Sequence, residues 1–412
     1  MQEAVPPLNV IIVGAGLVGF WRRCCTTPAR VIASSFKTEL GAGLAIPTEY
    51  FTMFGWTGMQ SPEPRSPLKI SAVTSMAYDG SAGMTSDKTD LRESYGMPWL
   101  MVHRVDLHNE LRRLALEVQG DSPPVSLYLN HRVVSCDTDA CTVTLEGGAV
   151  RTADLIIGAD GIRVRLMLAS SFTFGTAGFR WLTDAKALEP YPELDWIVRT
   201  APLGARLISA PVPPNPSDGP QKIDHRTIVI YACRGGTMVN VLAVHEDRRN
   251  QDSVPWNAPV TQTELLDFFH DYHPRFKRFL ALADDIHIWQ MRVVPPLRTW
   301  VNKRVCLLGD AAHASLPTLG QGFGMGLEDA VALGALLPKS THINAIEARL
   351  LAYESLRKER AEFVARESFE QQHVPAKRGL YLRSSEMRDR VMAYDVKEAA
   401  GRVLSDLENS RG

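Results

Sequence analysis

The stretch that most constrains the fold lies in the last third of the chain, at residues 309–330, and reads GDAAHASLPTLGQGFGMGLEDA. Directly before Asp310, RVCLLG is an apolar run typical of a buried strand. The residues after Asp310 are too rich in glycine for a core element, and a helical pattern begins near Gly324. The stretch therefore predicts a strand, a loop and a helix whose backbone amides and N-terminus face a ligand.

A second ligand-binding pattern lies near the N-terminus. Asn9–Val13 is apolar and strand-like, and GAGLVG follows, in which Gly14, Gly16 and Gly19 form a GxGxxG motif. Glycines at these positions allow a tight turn and let backbone N–H groups approach a pyrophosphate. Taken alone, the motif is equally consistent with an ordinary turn between a strand and a helix.

A third pattern, DLIIGADGIRVR, occupies residues 154–165. Its apolar strand places Asp160 and Gly161 at the C-terminal edge, where ligands of α/β sheets bind. A simple β-turn with incidental arginines is the alternative interpretation.

In this order, GAGLVG, HRVDLHNEL, DLIIGADGIRVR and residues 309–330 resemble the class A FAD-dependent aromatic monooxygenases. Within that family they are most similar to the salicylate hydroxylase-like and fungal polyketide-pathway enzymes, which have the para-hydroxybenzoate hydroxylase fold. The resemblance implies an α/β fold: a split Rossmann-like FAD-binding domain with an inserted β-sheet substrate domain and C-terminal helices. The implied boundaries are 1–171 for the first part of the FAD-binding domain, with an abbreviated N-terminal βαβ unit, 172–294 for the β-sheet domain, 295–344 for the second part of the FAD-binding domain and 345–412 for the C-terminal helices.

The resemblance also implies FAD as the cofactor and NAD(P)H as a transient reductant. The implied FAD-binding positions are Gly14, Gly16, Gly19, Ala42, Gly43, Arg104, Asp160, Gly161, Asp310, Pro317, Gly320, Gly322 and Phe323. Asp310 would accept hydrogen bonds from the ribityl hydroxyls, and residues 317–323 would border the isoalloxazine ring. Asp160 and Gly161 would serve both FAD and NAD(P)H.

The implied reaction is hydroxylation of a salicylate-like or polyketide-derived phenol by a flavin C4a-hydroperoxide formed with O2, in secondary metabolism. An arginine and a tyrosine of the β-sheet domain would contact the oxygen atoms of the substrate, and Arg180 and Tyr231 are the matching positions. Arg199 and Arg206 remain alternatives to Arg180, and Tyr231 is also consistent with an ordinary buried sheet tyrosine. His313 is expected to shape its loop rather than to transfer protons.

The sequence departs from the family's pattern directly after Gly19. The text FWRRCCTTPARVIAS lacks a good apolar face for packing on a sheet, and Pro28 stops any helix that begins at Gly19. Ile32 stands where the family's ribose-binding glutamate is expected, and no acidic residue lies between Gly19 and Lys37. Either this element has been lost, with weakened or absent FAD binding, or a mis-joined segment interrupts the pattern, which resumes at residue 34.

Composition and charge exclude several other functions. The formal net charge of -1 gives no electrostatic reason to expect nucleic acid or an anionic membrane as a partner. No apolar run reaches the roughly 18 residues of a membrane span. The six cysteines form no metal-ligand pattern, so we expect no metal site and reduced thiols in a soluble, cytoplasmic protein.

The expected partners are a small aromatic substrate and O2, and the oligomeric state stays open. Three rival functions remain: a catalytically impaired flavoprotein homologue, a non-catalytic interaction protein built on the charged C-terminal helix, and an NAD-dependent dehydrogenase. The GD…GQG loop disfavours the dehydrogenase, because that chemistry has no use for it.

Overall fold

Short apolar runs of the sequence form the strands of the computed structural model, which describes residues 6–19, 29–33, 43–47, 67–81, 83–95, 98–117, 124–163, 171–199, 204–210, 224–249 and 255–410. The strands in these ranges are β1 (Val10–Val13), β2 (Ala29–Ile32), β3 (Gly43–Pro47), β4 (Leu68–Ile70), β5 (Ala72–Ala77), β6 (Thr85–Asp87), β7 (Trp99–His103), β8 (Ser126–Tyr128), β9 (Val133–Asp137), β10 (Thr142–Leu145), β11 (Val150–Thr152), β12 (Leu155–Gly158), β13 (Phe172–Asp184), β14 (Gly204–Ser209), β15 (Thr227–Cys233), β16 (Met238–Glu246), β17 (Asn257–Pro259), β18 (His287–Val293), β19 (Val301–Asn302) and β20 (Val305–Leu307). The α-helices are α1 (Leu91–Tyr95), α2 (Arg104–Leu116), α3 (Gln262–Phe268), α4 (Pro274–Leu280), α5 (Asp310–His313), α6 (Gly322–Leu336), α7 (Ile346–His373), α8 (Leu380–Arg383), α9 (Ser385–Met392) and α10 (Val396–Asn409).

A six-stranded sheet brings the three sequence motifs together. Its order is β19-β20-β12-β1-β2-β8, and all neighbours except β19 and β20 run parallel. Val13 pairs with Gly158, and Gly158 pairs with Leu307, so β1, β12 and β20 end side by side. The loops that follow these strands therefore leave the sheet at one edge, where parallel α/β sheets bind ligands.

The strand that follows the irregular N-terminal segment is formed. β2 pairs in parallel with β1 along its whole length, and the Gly14 N–H donates to the Ile32 carbonyl at 2.9 Å. Ile32, which occupies the expected glutamate position, is the last residue of β2 and is buried. The predicted break in the helix at Pro28 falls in residues 20–28, which lie outside the described ranges.

A mixed eight-stranded sheet has the order β17-β18-β13-β16-β15-β14-β5-β6. The sequence places this β-sheet domain at 172–294, yet β5 and β6 come from residues 72–87. β5 pairs in parallel with β14 from Gly204 opposite Ala72 to Ser209 opposite Ala77. This pairing covers backbone groups that would leave β14 as an open sheet edge.

One face of the eight-stranded sheet is covered by α3 and α4. The buried cluster on this face includes Phe179 of β13 together with Phe269, Tyr272, Phe276 and Phe279. Because residues along a strand alternate between the two faces, the intervening side chains of β13, β15 and β16 point to the opposite side. That side faces the six-stranded sheet and its loops.

A buried network of charges joins the C-terminal helices to the end of β20. The carboxylate of Asp329 on α6 accepts hydrogen bonds from Gly309 N–H at 2.8 Å, from His313 Nε2 at 2.6 Å and from Arg357 Nε at 3.0 Å. Arg357 on α7 also forms a salt bridge with Glu328 at 2.5 Å. The four charged or polar residues of the network, Asp329, His313, Arg357 and Glu328, are each at most 5% exposed. Although burial alone would raise the pKa of Asp329, His313, Arg357 and the Gly309 N–H hold it below its ordinary value.

Helices in the described ranges are each too short or too polar to cross a lipid bilayer.

We expect Arg357→Met to lower the free energy of unfolding by about 3–5 kcal/mol, because the buried carboxylates of Glu328 and Asp329 then lose the cation that lies between them, although Glu328 keeps Arg360 and Asp329 keeps His313. Urea denaturation followed by circular dichroism measures the change. Arg402→Met is the matched control, since Arg402 pairs with Glu398 on the exposed surface of α10, where such a pair contributes up to about 0.5 kcal/mol. Equal losses in both variants would contradict a structural role for the buried network.

A buried histidine makes the eight-stranded sheet sensitive to acid. The His245 ring stacks on Phe179 with centroids 4.2 Å apart, and its Nδ1–H donates to the Glu246 carbonyl at 2.7 Å. Burial lowers the pKa of His245 to about 4, although the Glu246 carbonyl and Asp247 favour the cation. The folded pKa thus lies below the ordinary value of about 6.5, so the neutral ring contributes its full stability above pH 6.5 and loses it as the pH falls towards 4.

His245→Phe is therefore expected to flatten the acid side of the stability profile. In the wild type, His245 adds a slope of up to about 1.4 kcal/mol per pH unit in that window. Unfolding in urea at several pH values between 4 and 8 gives both slopes, and the value at pH 8 controls for any change in packing. An unchanged slope in the variant would assign the acid sensitivity to other groups.

Candidate active site

A cavity of about 860 Å³ lies between the edge of the six-stranded sheet and the open face of the eight-stranded sheet. This volume is near the upper end of the roughly 300–1,000 Å³ typical of small-molecule sites. Most residues that the sequence assigns to the site line this one cavity: Gly16, Arg104, Asp160, Gly161, Arg180, Tyr231, Asp310, Pro317, Gly320, Gly322 and Phe323. Side chains and turns that are far apart in the sequence, from Gly16 to Phe323, thus converge on one space.

The remaining predicted positions lie elsewhere. A Cβ at Gly14, whose φ is +109°, would come within 2.3 Å of the Ala159 carbonyl oxygen, and one at Gly19 within 2.3 Å of the Gly14 oxygen. These two glycines therefore allow backbones to pack closely, which is a different use from lining the cavity. Gly43 begins β3 and pairs with His103, whereas Ala42 lies outside the described residues.

The edge of the six-stranded sheet offers backbone surface for a large anionic cofactor. Gly16 and Gly161 have open space where a Cβ would stand, and both face the cavity. Gly322 and Phe323 bring the first turn of α6 to the same wall, and no side chain caps its N-terminus. Uncapped amides and open glycines are the features with which a helix N-terminus binds a nucleotide cofactor, so these residues fit FAD.

Asp310 and Arg104 supply opposite charges on this wall. The Asp310 side chain is exposed to the cavity. Desolvation by the surrounding protein raises its pKa, although His313 and Arg104 oppose the rise. Arg104 is the first residue of α2 and also lines the cavity. A carboxylate acceptor beside a guanidinium can bind hydroxyl and phosphate groups of one ligand.

His313 shapes the loop, as the sequence predicts. Its Nε2 faces the Asp329 carboxylate at 2.6 Å, and since a carboxylate only accepts, Nε2 carries the proton. The ring is buried against Trp300, with centroids 5.1 Å apart. Within the described residues, His313 does not line the cavity.

The open face of the eight-stranded sheet carries a cationic and a phenolic side chain. Arg180 of β13 and Tyr231 of β15 line the cavity and interact electrostatically. Burial raises the pKa of the Tyr231 phenol, although Arg180 opposes the rise. Burial lowers the pKa of Arg180, and the nearby positive charge of Arg104 lowers it further, whereas Tyr231 raises it. Arg180 nevertheless remains cationic, as arginines do in proteins. The pair therefore presents N–H and O–H donors to an oxygen anion.

The two alternative arginines face other surroundings. Arg199 is half-exposed and pairs with Asp195 and Glu189. Arg206 points to the covered side of the sheet, where its Nε donates to the Trp196 carbonyl at 3.1 Å. Of the three, only Arg180 reaches the cavity.

Several lining residues were missed by the sequence patterns. They form rows across β14, β15 and β16 and comprise Ala205, Leu207, Ser209, Thr227, Val229, Leu242 and Val244. Two of these residues could have been found from the sequence TIVIYAC. Thr227 and Val229 stand four and two residues before Tyr231, so all three side chains lie on one face of a strand.

An ion pair ties the two walls of the cavity together. Arg234, in the turn after β15, donates from Nε and Nη2 to the Asp106 carboxylate at 2.6 and 2.7 Å. Asp106 lies two residues after Arg104 in the first turn of α2. The turn has positive φ at Arg234 (49°), Gly235 (62°) and Gly236 (94°), so a bidentate contact holds a strained hairpin against the helix.

The chain is similar in sequence to known FAD-dependent proteins. The FAD binding domain family matches residues 221–368. The chain is 59% identical over 414 aligned residues to hispidin-3-hydroxylase of Neonothopanus nambi, covering 98% of this chain and 97% of the relative. It is 31% identical to the FAD-dependent monooxygenase cfoG of Aspergillus candidus, covering 88% of this chain and 85% of the relative.

Solved structures show the same fold. A salicylate hydroxylase substrate complex matches with a TM-score of 0.73 at 22% identity, covering 97% of this chain and 98% of that one. CtdE in complex with FAD and substrate 4 matches with a TM-score of 0.78 at 17% identity, covering 98% and 99%.

The fold is that of the class A flavoprotein hydroxylases, with a split FAD-binding unit beside a large inserted sheet. The chain belongs to the family of FAD-dependent monooxygenases that hydroxylate aromatic compounds. It is an enzyme, and FAD is its cofactor.

The two kinds of glycine in GAGLVG predict different mutant phenotypes. Gly14→Ala is expected to destabilise the protein by about 1–3 kcal/mol, since it forces a Cβ into the Ala159 backbone at a strained φ. Gly16→Ala meets no protein atom within 4 Å, so its apoprotein should unfold like the wild type. Because the added methyl group faces the cavity, the purified variant should retain less flavin.

Apoprotein unfolding and the flavin content of purified protein separate the two effects. A Gly16→Ala protein with wild-type flavin content would place the cofactor away from this turn. A Gly14→Ala protein of wild-type stability would contradict the packing role of Gly14.

Proposed function

We propose that this enzyme hydroxylates hispidin, or a phenol closely similar to it, with NAD(P)H as reductant and O2 as the oxygen donor. The proposal is supported by the relative of 59% identity, which is a hispidin-3-hydroxylase and is covered over 97% of its length. The observation that carries it is the cavity, in which Arg180 and Tyr231 stand opposite the glycine-rich loop at 317–323. Phenol, O2 and NAD(P)H with one proton would yield hydroxylated phenol, NAD(P)+ and water.

One wall of the cavity would bind the cofactor and the opposite wall the substrate. We propose that Gly16, Asp160, Gly161 and the first turn of α6 bind the phosphates and ring of FAD, with Asp310 accepting from its ribityl hydroxyls. Arg104 would contribute a positive charge to the same wall. When bound, FAD supplies the redox chemistry that takes a hydride from NAD(P)H and activates O2.

Arg180 and Tyr231 would activate the phenol. An ionised phenol is more electron-rich than its neutral form, and therefore reacts more readily with an electrophilic oxygen. The Arg180 guanidinium and the protonated Tyr231 hydroxyl both donate to the phenolate oxygen, which lowers the cost of ionisation in a dry site. Apolar side chains of β14, β15 and β16 exclude water from the reacting ring.

The test uses purified holoenzyme with hispidin, NADH or NADPH, and isotopically labelled dioxygen. We expect one labelled oxygen atom in the product and reductant consumption that depends on hispidin. Arg180→Met should lower kcat/KM by about 10- to 150-fold and Tyr231→Phe by about 2- to 10-fold, from the loss of charged and neutral hydrogen bonds respectively.

Arg199→Met is the matched control, because Arg199 is a half-exposed arginine of the same region and does not line the cavity. It should retain wild-type kcat/KM. The proposal fails if flavin-loaded enzyme oxidises NAD(P)H without labelled product from any phenol, as an impaired homologue would.

A further inference from the structure

The face of the eight-stranded sheet that forms one wall of the cavity is longer than a single substrate ring needs. Along β15, Tyr231, Val229 and Thr227 all line the cavity. Alternate residues of a strand are about 7 Å apart, so Tyr231 and Thr227 are separated by about 14 Å along the strand. The proposed activation of a phenol uses only the Tyr231 end of this distance.

The wall changes from polar to apolar and back to polar along this distance. Val229 is in register with Leu207 of β14 and Leu242 of β16, which makes an apolar middle row. The next row joins Thr227 to Ser209 and Val244. Thr227 and Ser209 form a hydroxyl pair with their oxygens 3.4 Å apart, and both line the cavity.

The loop that borders the cofactor covers the same length of sheet. Leu316 packs in one apolar cluster with Leu242 of the middle row and Val244 of the far row. Leu319 belongs to a second cluster that includes Leu207 of the middle row and Tyr231 at the near end. The space between the sheet and the loop is therefore a slot that favours a flat ligand along its length.

We propose that this slot takes a conjugated two-ring phenol, and that Ser209 and Thr227 bind a hydroxyl group of its second ring. The inference rests on the proposed function, since it assigns the reacting ring to Arg180 and Tyr231. A hydroxyl group can donate and accept at once, so the Ser209–Thr227 pair recognises a phenolic O–H that an apolar wall would leave without a partner. The apolar middle row contacts the linker between the rings, and the two residues determine specificity without taking part in the oxygen transfer.

Three probes separate the parts of the slot. Resveratrol carries hydroxyls on both rings of a stilbene, pinosylvin lacks the hydroxyl on one ring, and resorcinol is a single ring. Their dissociation constants are measured by calorimetry on the holoenzyme, without turnover. In the wild type we expect resveratrol to bind about 3- to 10-fold more tightly than pinosylvin, which is the effect of one hydrogen bond, and resorcinol to bind most weakly.

The double variant Ser209→Ala with Thr227→Val removes the hydroxyls and preserves strand-forming side chains. It should bind resveratrol and pinosylvin equally well and leave the affinity for resorcinol unchanged. The single variant Thr227→Val, which is nearly isosteric, is used if the double variant has a lower thermal midpoint. Thr85→Val is the matched control, because Thr85 forms a similar hydroxyl pair with Thr74 on the same sheet, away from the cavity.

The outcomes distinguish this subsite from the function on which it rests. Equal affinity of the wild type for resveratrol and pinosylvin, or a preference that survives in the double variant, overturns the subsite. Resorcinol binding as tightly as the stilbenes overturns it too. Hispidin hydroxylation is followed separately, and its absence overturns the proposed function whatever the binding ratios are.

Discussion

The Asp329 carboxylate is the contact on which the geometry of the site depends. It binds the Gly309 amide, the His313 ring and the Arg357 guanidinium, which come from the end of β20, from α5 and from α7. Because the site is buried, each of these groups has a high cost if left unpaired. The three contacts therefore hold one backbone path at the end of β20, and that path sets where Asp310 and the 317–323 loop meet the cavity.

The sequence-assigned residues that line the cavity belong to contiguous motifs. Asp310, Gly161 and Gly322 are near glycines and strand ends, where a few neighbouring residues determine the backbone conformation. The GxGxxG pattern did not distinguish Gly14, which packs on Ala159, from Gly16, which opens on the cavity. That distinction depends on β12, a strand about 140 residues away in the chain.

The open face of the eight-stranded sheet, which lines the cavity, could not be predicted in the same way. Ser209 and Thr227 become neighbours only through the register of β14 and β15, and β5 joins that sheet from residues far outside the inserted segment. Register depends on long-range pairing and on which face is buried. The pattern of a single strand therefore predicts which of its own residues share a face, but not which residues of the next strand lie beside them. Arg180 was identified by family resemblance, and its separation from Arg199 and Arg206 required the three-dimensional positions of all three.

The contact between Arg234 and Asp106 makes the hairpin of the substrate-facing sheet and the helix that begins at Arg104 one mechanical unit. The two walls of the cavity that this contact joins are remote in sequence. Replacing one of them with a segment from another enzyme breaks the contact unless the other wall is matched to it. A chimera that takes its inserted sheet from a related enzyme must bring a partner for the acidic residue on the recipient's helix, or the transplanted hairpin loses its anchor. In this chain, the Asp106 carboxylate, which lies outside the grafted segment, therefore limits which inserted sheets the helix can accept.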